Sequence, residues 1–300
     1  MHRKIQTFLA SVICLTFVSC GEAPDPVATL SVAPTPVRLA FPQYQTVEVE
    51  LGMREALEAG ASPWVMLHLL DLTGSVVRTF DHPVAGKWSP GESRRYSVDL
   101  YQSALAPPLD PGVYQLTGGL YDPAAGRWVV AVDGEQVHRL EYALGTVEVP
   151  QGSQTAPKFS FSADWMAIEE GTDVQILGRR WLRNEGAILL ADLTHPGTVR
   201  VDLRIKDPDP QLEDLILDEG FDEARLDVAT SCSEETWSLE GVGTHGVEVT
   251  VSPAAEGEAS DGCEITLTPH YRVVTRRNLH SRTLALELLT WRPQGPGGNS

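Results

Sequence analysis

The chain has 300 residues, room for about two domains of ordinary size. It carries 41 Asp and Glu against 23 Lys and Arg, and its net charge of −18 disfavours nucleic acid and anionic lipid headgroups as partners. A hydrophobic content of 42% excludes a fully disordered chain, and four cysteines exclude a disulfide-dense mini-scaffold.

His2, Arg3 and Lys4 form a basic start, followed by an apolar stretch over residues 5–18 broken by Gln6, Thr7, Ser11 and Thr16. This is the arrangement of an export signal, and it is too short and polar for a permanent spanning helix. The end of the stretch, Phe17-Val18-Ser19-Cys20-Gly21, resembles a bacterial lipobox, with Phe17 where Leu is usual. That resemblance implies that residues 1–19 are removed as a signal peptide and that Cys20 is diacylated and becomes the new N-terminus. Gly21 after the cysteine then favours the outer membrane over the inner, facing the periplasm or the cell surface. An ordinary secretory signal and a signal anchor are the alternatives. Losing Arg3 and Lys4 takes the charge from −18 to near −20.

Residues 20–29, with Pro24 and Pro26, read as a lipidated tether that holds the folded part off the membrane. Residues 30–149 read as strands. Val47, Val49 and Leu51 alternate with Glu48 and Glu50, and the apolar run Val65 to Leu70 turns through Asp71-Leu72-Thr73-Gly74 into Ser75 to Phe80. Tyr96, Val98 and Leu100 alternate again, and Val113 to Thr117 and Trp128 to Val132 continue the series. Met53 to Ala59 is the one helical candidate. Short strands with regular turn signals predict a sandwich.

The punctuated stretch 150–157 is expected to be a linker, residues 158–292 a second domain, and 293–300 a disordered tail. In the second domain Val199, Val201, Leu203 and Ile205 alternate with charged residues, and Val247, Val249 and Val251 repeat the pattern. Ile265 and Leu267 follow it, as do Leu284, Leu286 and Leu288. Residues 207–227 differ, with nine acidic residues, one Arg and a helical or irregular character. This number of connected antiparallel strands favours a jelly-roll or related sandwich. The fold expectation is all-β, with two β-sandwich domains in series, immunoglobulin-like and then jelly-roll-like.

The immunoglobulin-like part rests on three segments: Trp88-Ser89-Pro90-Gly91-Glu92, Tyr96 to Leu100, and Asp110-Pro111-Gly112-Val113-Tyr114-Gln115-Leu116-Thr117-Gly118-Gly119-Leu120-Tyr121-Asp122. They resemble the immunoglobulin-like β-sandwich module found beside the membrane part of many bacterial glycosyltransferase-like proteins. In that pattern the Pro-Gly pairs build turns, and Tyr114 and Tyr121 are placed to brace the sheet ends. Asp164-Trp165, Glu169-Glu170 and Arg180-Trp181 before Ala187 to Leu190 resemble a sandwich domain that accompanies it, departing from its pattern at residues 163–166. The resemblance implies an accessory module with no catalytic residues.

With Cys14 lost in the signal and Cys20 carrying lipid, Cys232 and Cys263 remain, and an oxidising envelope favours a bridge between them. A redox pair would want a C-x-x-C spacing, and a metal site a histidine at ligand spacing; neither cysteine has one. His68, His82, His138, His195, His245, His270 and His280 are scattered singly and read as structural or solvent-facing. The acidic stretch offers oxygen ligands for Ca²⁺, but Leu212 stands where an EF-hand loop has Gly, so a solvated loop is favoured and no metal or other cofactor is expected. Asp164 with Glu169 and Glu170 is a candidate acid/base pair.

Trp64, Trp128, Trp181 and Trp291 sit in apolar runs and read as core. Trp88, Trp165 and Trp237 lie near turns and form a candidate ligand platform for sugar, with core or edge packing the favoured alternative. Together these features predict a non-enzymatic envelope lipoprotein that binds or scaffolds an envelope protein or a glycan. A carbohydrate-binding lipoprotein and a glycan-acting hydrolase are the alternatives.

Overall fold

The computed structural model describes residues 25–84, 86–151, 156–170, 177–253, 262–275 and 282–294. The signal sequence and Cys20, linker residues 152–155 and tail residues 295–300 lie outside the described residues. All regular structure among the described residues is β.

The N-terminal half runs β1 (Ala28–Ala33), β2 (Val37–Arg38), β3 (Tyr44–Met53), β4 (Trp64–Leu70), β5 (Val76–Thr79) and β6 (His82–Pro83). It continues with β7 (Ser93–Tyr101), β8 (Gly112–Asp122), β9 (Gly126–Trp128), β10 (Val130–Ala131), β11 (Gln136–His138) and β12 (Glu141–Val149). One sheet has the order β10-β1-β3-β7 and the other β11-β12-β8-β4-β5, with β2 on β12, β6 on β4 and β9 on β8. The alternation in β3 buries Val47, Val49 and Leu51 and turns Glu48 and Glu50 outward, where Ser97 and Arg95 of β7 meet them. Leu30, Val49 and Leu51 of the smaller sheet share one core with Leu67, Leu116 and Val147 of the larger.

The C-terminal half runs β13 (Lys158–Phe161), β14 (Glu169–Glu170), β15 (Leu177–Leu182), β16 (Gly186–Ala191), β17 (Gly197–Ile205) and β18 (Glu213–Leu217). It ends with β19 (Arg225–Thr230), β20 (Thr236–Glu240), β21 (Gly243–Val251), β22 (Cys263–Pro269), β23 (Tyr271–Thr275) and β24 (Leu284–Pro293). Its five-stranded sheets have the orders β13-β16-β22-β19-β20 and β14-β15-β24-β17-β21, and β18 pairs β23 as a separate ribbon. Ile188, Leu226 and Ile265 of the first sheet pack on Val201, Leu203 and Leu286 of the second. Cys232 and Cys263 form a disulfide, with Cα atoms 5.5 Å apart and a separation of 31 positions in sequence.

Three expectations are corrected. Met53 to Ala59 is not helical: Met53 ends β3, and the amides of Arg54 and Glu55 donate to the Val27 carbonyl, 2.8 and 3.1 Å away. Isolated helices this short gain too few hydrogen bonds to outcompete such anchors. The acidic stretch is not helical either; it supplies β18 and the start of β19. Leu288 leaves the face of Leu284 and Leu286, because a bulge shifts the β17–β24 register between Asp202 and Leu203. Beyond it Leu289 and Trp291 point into the core, and Glu287 is left on the outer face.

The two halves are locked together. Leu105, in the loop after β7, is buried in the C-terminal core. The Ala104 amide donates to Leu289 O at 2.8 Å, and the Trp291 amide to Pro42 O at 2.7 Å. Arg200 of β17 reaches Asp99 of β7 at 2.5 Å and its own strand's Asp202 at 3.1 Å. Tyr44 adds a hydroxyl bond to Glu248 at 3.3 Å and lies under the guanidinium of Arg292.

Candidate functional site

A buried charged constellation forms on the outer face of the larger sheet of the N-terminal half. β4 points Val65, Leu67 and Leu69 into the sandwich, so Met66, His68 and Leu70 face the other way. They are buried nonetheless, because residues 126–140 fold back over this face. His138 bonds the Gly74 carbonyl at 3.0 Å, Arg127 bonds the Arg139 carbonyl at 2.8 Å, and Leu140 lies over Gly119. A Cβ at Gly119 would stand 2.6 Å from the Leu140 oxygen, so the close cover needs glycine there.

His68 sits between two carboxylates. Its Nδ1 is 3.0 Å from Glu141 Oε1 and its Nε2 is 3.3 Å from Asp81 Oδ1. Glu141 also accepts from Thr117 Oγ1 at 2.7 Å and Arg127 Nη1 at 3.4 Å. Asp81 also accepts from the Leu67 amide and the Tyr121 hydroxyl, both at 3.1 Å. Burial by itself pulls the His68 pKa down, but hydrogen bonds and charge from Asp81 and Glu141 overcome it and hold the value at about 9. Burial likewise pushes Glu141 up, but His68, Thr117 and Arg127 bring it down to about 2.

At neutral pH this is an imidazolium donating from both nitrogens to two carboxylates. Each ring nitrogen and each carboxylate has partners inside the protein, so the chemistry supported is clamping, not proton transfer to a substrate. The clamp joins β4, the β5–β6 turn, β8, β9 and β12. Sequence reading missed Asp81 and Glu141 because they lie 13 and 73 residues from His68, and no local pattern links them.

The expected ligand platform does not assemble around Trp165. That ring is 6% exposed within the C-terminal core, its Nε1 donates to Ala187 O at 3.0 Å, and Phe161 packs edge-on against it. Trp88 is half-buried on the N-terminal core, with Nε1 donating to Glu55 O at 2.8 Å, and Trp237 packs half-buried on the C-terminal core. Trp291 is core as expected, while Trp64 and Trp128 are half-buried. The side chains of Glu169 and Glu170, expected to pair with Asp164, lie outside the described residues.

In the acidic stretch Glu213 pairs with Lys206, and Asp227 accepts from Arg225, Ser238 and His270 at 2.8–2.9 Å. Among the described residues no three His, Cys, Asp or Glu side chains converge as a metal site. An apolar cleft of about 650 Å³ opens where the halves meet, lined by Phe41, Leu109, Val149 and Phe159, with Asp110 and Lys158 as its charged members. No protein-family model matches the chain, and no curated protein matches it.

Proposed function

We propose that the protein is a non-catalytic cell-envelope lipoprotein, anchored through Cys20, whose two sandwiches form one stiff module for binding or scaffolding. Its partner is an envelope protein or a glycan, with no nucleic acid and no cofactor involved. The N-terminal half reads as immunoglobulin-like. Support comes from the sheet orders, from β2 running parallel to β12, and from the Tyr114 hydroxyl bonding the Asp110 carbonyl at 2.8 Å, the geometry of a tyrosine corner.

The C-terminal half reads as a jelly roll. Leaving aside the edge strands β13 and β14 and the separate ribbon of β18 and β23, its eight strands pair first with last (β15·β24), second with seventh (β16·β22), third with sixth (β17·β21) and fourth with fifth (β19·β20). That nesting is what a long hairpin makes when rolled into two sheets.

The observation that carries the functional reading is the joint. Leu105 seated in the neighbouring core and Arg200 held between Asp99 and Asp202 fix one sandwich on the other, as a spacer or scaffold at the membrane requires. Membrane fractionation with lipid labelling of the full chain tests the anchor: Cys20→Ser should release the protein, and labelling that persists in the variant overturns it. A glycan array on the same material separates the partner classes. Sugar binding favours the carbohydrate-binding reading through the apolar cleft, and turnover of an arrayed glycan overturns the non-catalytic one.

A further inference from the structure

The acidic stretch holds a surface that the clamp, the joint and the anchor leave unused. In the ribbon of β18 and β23, Leu215 lies opposite Val273 and Leu217 opposite Tyr271, both of which are core residues. Ile216 lies opposite the exposed Arg272 on the outer side. Leu215 is nevertheless 37% exposed and Ile216 42%, and Leu212, just before the strand, is 51% exposed. β18 pairs β23 on one side, and among the described residues no strand pairs its other side. Edge strands usually carry short, charged or twisted guards, whereas this one presents large apolar side chains on both faces of the ribbon.

Charge decides what covers it. Residues 207–223 contain eight Asp and Glu and no Lys or Arg. Lys206 pairs Glu213 and Arg272 stands opposite Ile216, but the stretch stays net negative, so a second copy would set like charge against like and an anionic lipid surface would be repelled in the same way. A cationic segment is attracted, and an extended one also satisfies the strand edge.

We propose that β18 is a docking strand that captures an extended, basic segment of a partner protein by strand addition. This rests on the binding-module reading and names its surface. In the paired register the captured segment places apolar residues beside Leu215, Ile216 and Leu217, and cations beside Asp214 and Asp218. The main-chain ladder supplies affinity, and the apolar centre with flanking cations supplies selectivity.

The test uses the purified full chain in detergent and a labelled, end-blocked nonapeptide with a Val/Ile centre flanked by lysines. A second peptide carries glutamates in place of the lysines. Anisotropy should show binding of the lysine peptide alone, weakening by about tenfold or more as salt rises from about 50 to about 500 mM. Ile216→Asp and Leu212→Asp should each weaken it by about tenfold or more. Leu72→Asp, at a residue 96% exposed in the N-terminal half, should leave it unchanged. Melting curves matching the parent keep a folding defect from imitating loss of binding.

Equal binding of both peptides, no binding of the lysine peptide, or undiminished binding by folded Ile216→Asp and Leu212→Asp overturns the proposal. So does concentration-dependent dimerisation that Ile216→Asp abolishes, since the occupant is then a second copy. The Cys20→Ser protein should bind the peptide as the parent does, so failure of the anchor and failure of the docking strand are read separately.

Discussion

The His68 clamp makes a pH prediction whose sign follows from its geometry. A histidine raised from 6.5 to about 9 adds a stabilisation that is complete below pH 6.5 and lost as the pH climbs through about 9. A glutamate lowered from 4.5 to about 2 adds one that is complete above pH 4.5 and lost as the pH falls through about 2. Both operate between pH 4.5 and 6.5. The alkaline loss amounts to about 3 kcal/mol, and because the two shifts report largely one interaction they do not add. Urea unfolding at about pH 6 and about pH 9.5 should therefore show the N-terminal half losing about 3 kcal/mol at the higher pH. His68→Gln should be less stable at pH 6, with two carboxylates facing no imidazolium, and should show a much smaller alkaline loss. In NMR the His68 Cε1 proton should titrate near pH 9 and vanish in the variant. A midpoint near 6.5, or an equal alkaline loss in His68→Gln, would refute the reasoning.

Three further outcomes test the frame. Reducing the Cys232–Cys263 bridge should cost about 3–4 kcal/mol in the C-terminal half, measured by denaturant unfolding with and without reductant; an unchanged midpoint sinks its stabilising role. Leu105→Ala should cost about 2–5 kcal/mol and register in the C-terminal unfolding transition, although the residue belongs to the N-terminal half; an effect confined to the N-terminal transition contradicts the joint. Gly178→Ala should be far more destabilising than Gly60→Ala. Both have φ near +90°, but a Cβ at Gly178 would lie 1.9 Å from the Leu105 oxygen, while at Gly60 nothing lies within 4 Å. Equal melting shifts for the two variants would refute the close approach.

The strands with one polar face were legible in the sequence. Val47 to Leu51 alternates because it faces a core on one side only, and Val199 to Ile205 alternates although its outer face meets the N-terminal half, because that cover is made by charged residues such as Arg200 and Asp202. The turn after β4 was legible too, since Asp71 Oδ1 caps the amides of Thr73 and Ser75 at 2.8 and 2.9 Å. β18 escaped because acidic residues on both sides of three apolar ones mask a strand only five residues long. The phase change in β24 escaped because a bulge is one extra residue, and an apolar run reads the same with or without it. Of the candidate site residues, the disulfide pair was legible by counting. The burial of Trp165 was not, because its cover comes from Phe161 and from the Ala187 carbonyl on another strand.

The charged clusters share a location that explains why they stay hidden in sequence. Both lie on outer sheet faces that something else covers, and neither lies in the core between sheets. The first face is closed by residues 126–140 of its own sandwich. The second, on β15, β24 and β17, meets the N-terminal half where Arg200 reaches Asp99. Glu287, turned outward by the bulge, joins Arg179 at 2.7 Å and Arg204 at 2.9 Å on that face. Trp181 is buried on the same sheet with the cations of Arg179, Lys206 and Arg282 about its ring. β4 and β24, covered on both faces, lose their alternation, and their polar residues must then find partners from distant segments. Pairing within a sheet, or across the joint as Arg200 does with Asp99, meets most of that demand, although Arg179 Nε and Thr290 Oγ1 are buried without a partner among the described residues, and it leaves most of the negative charge on the surface, where it selects what approaches β18.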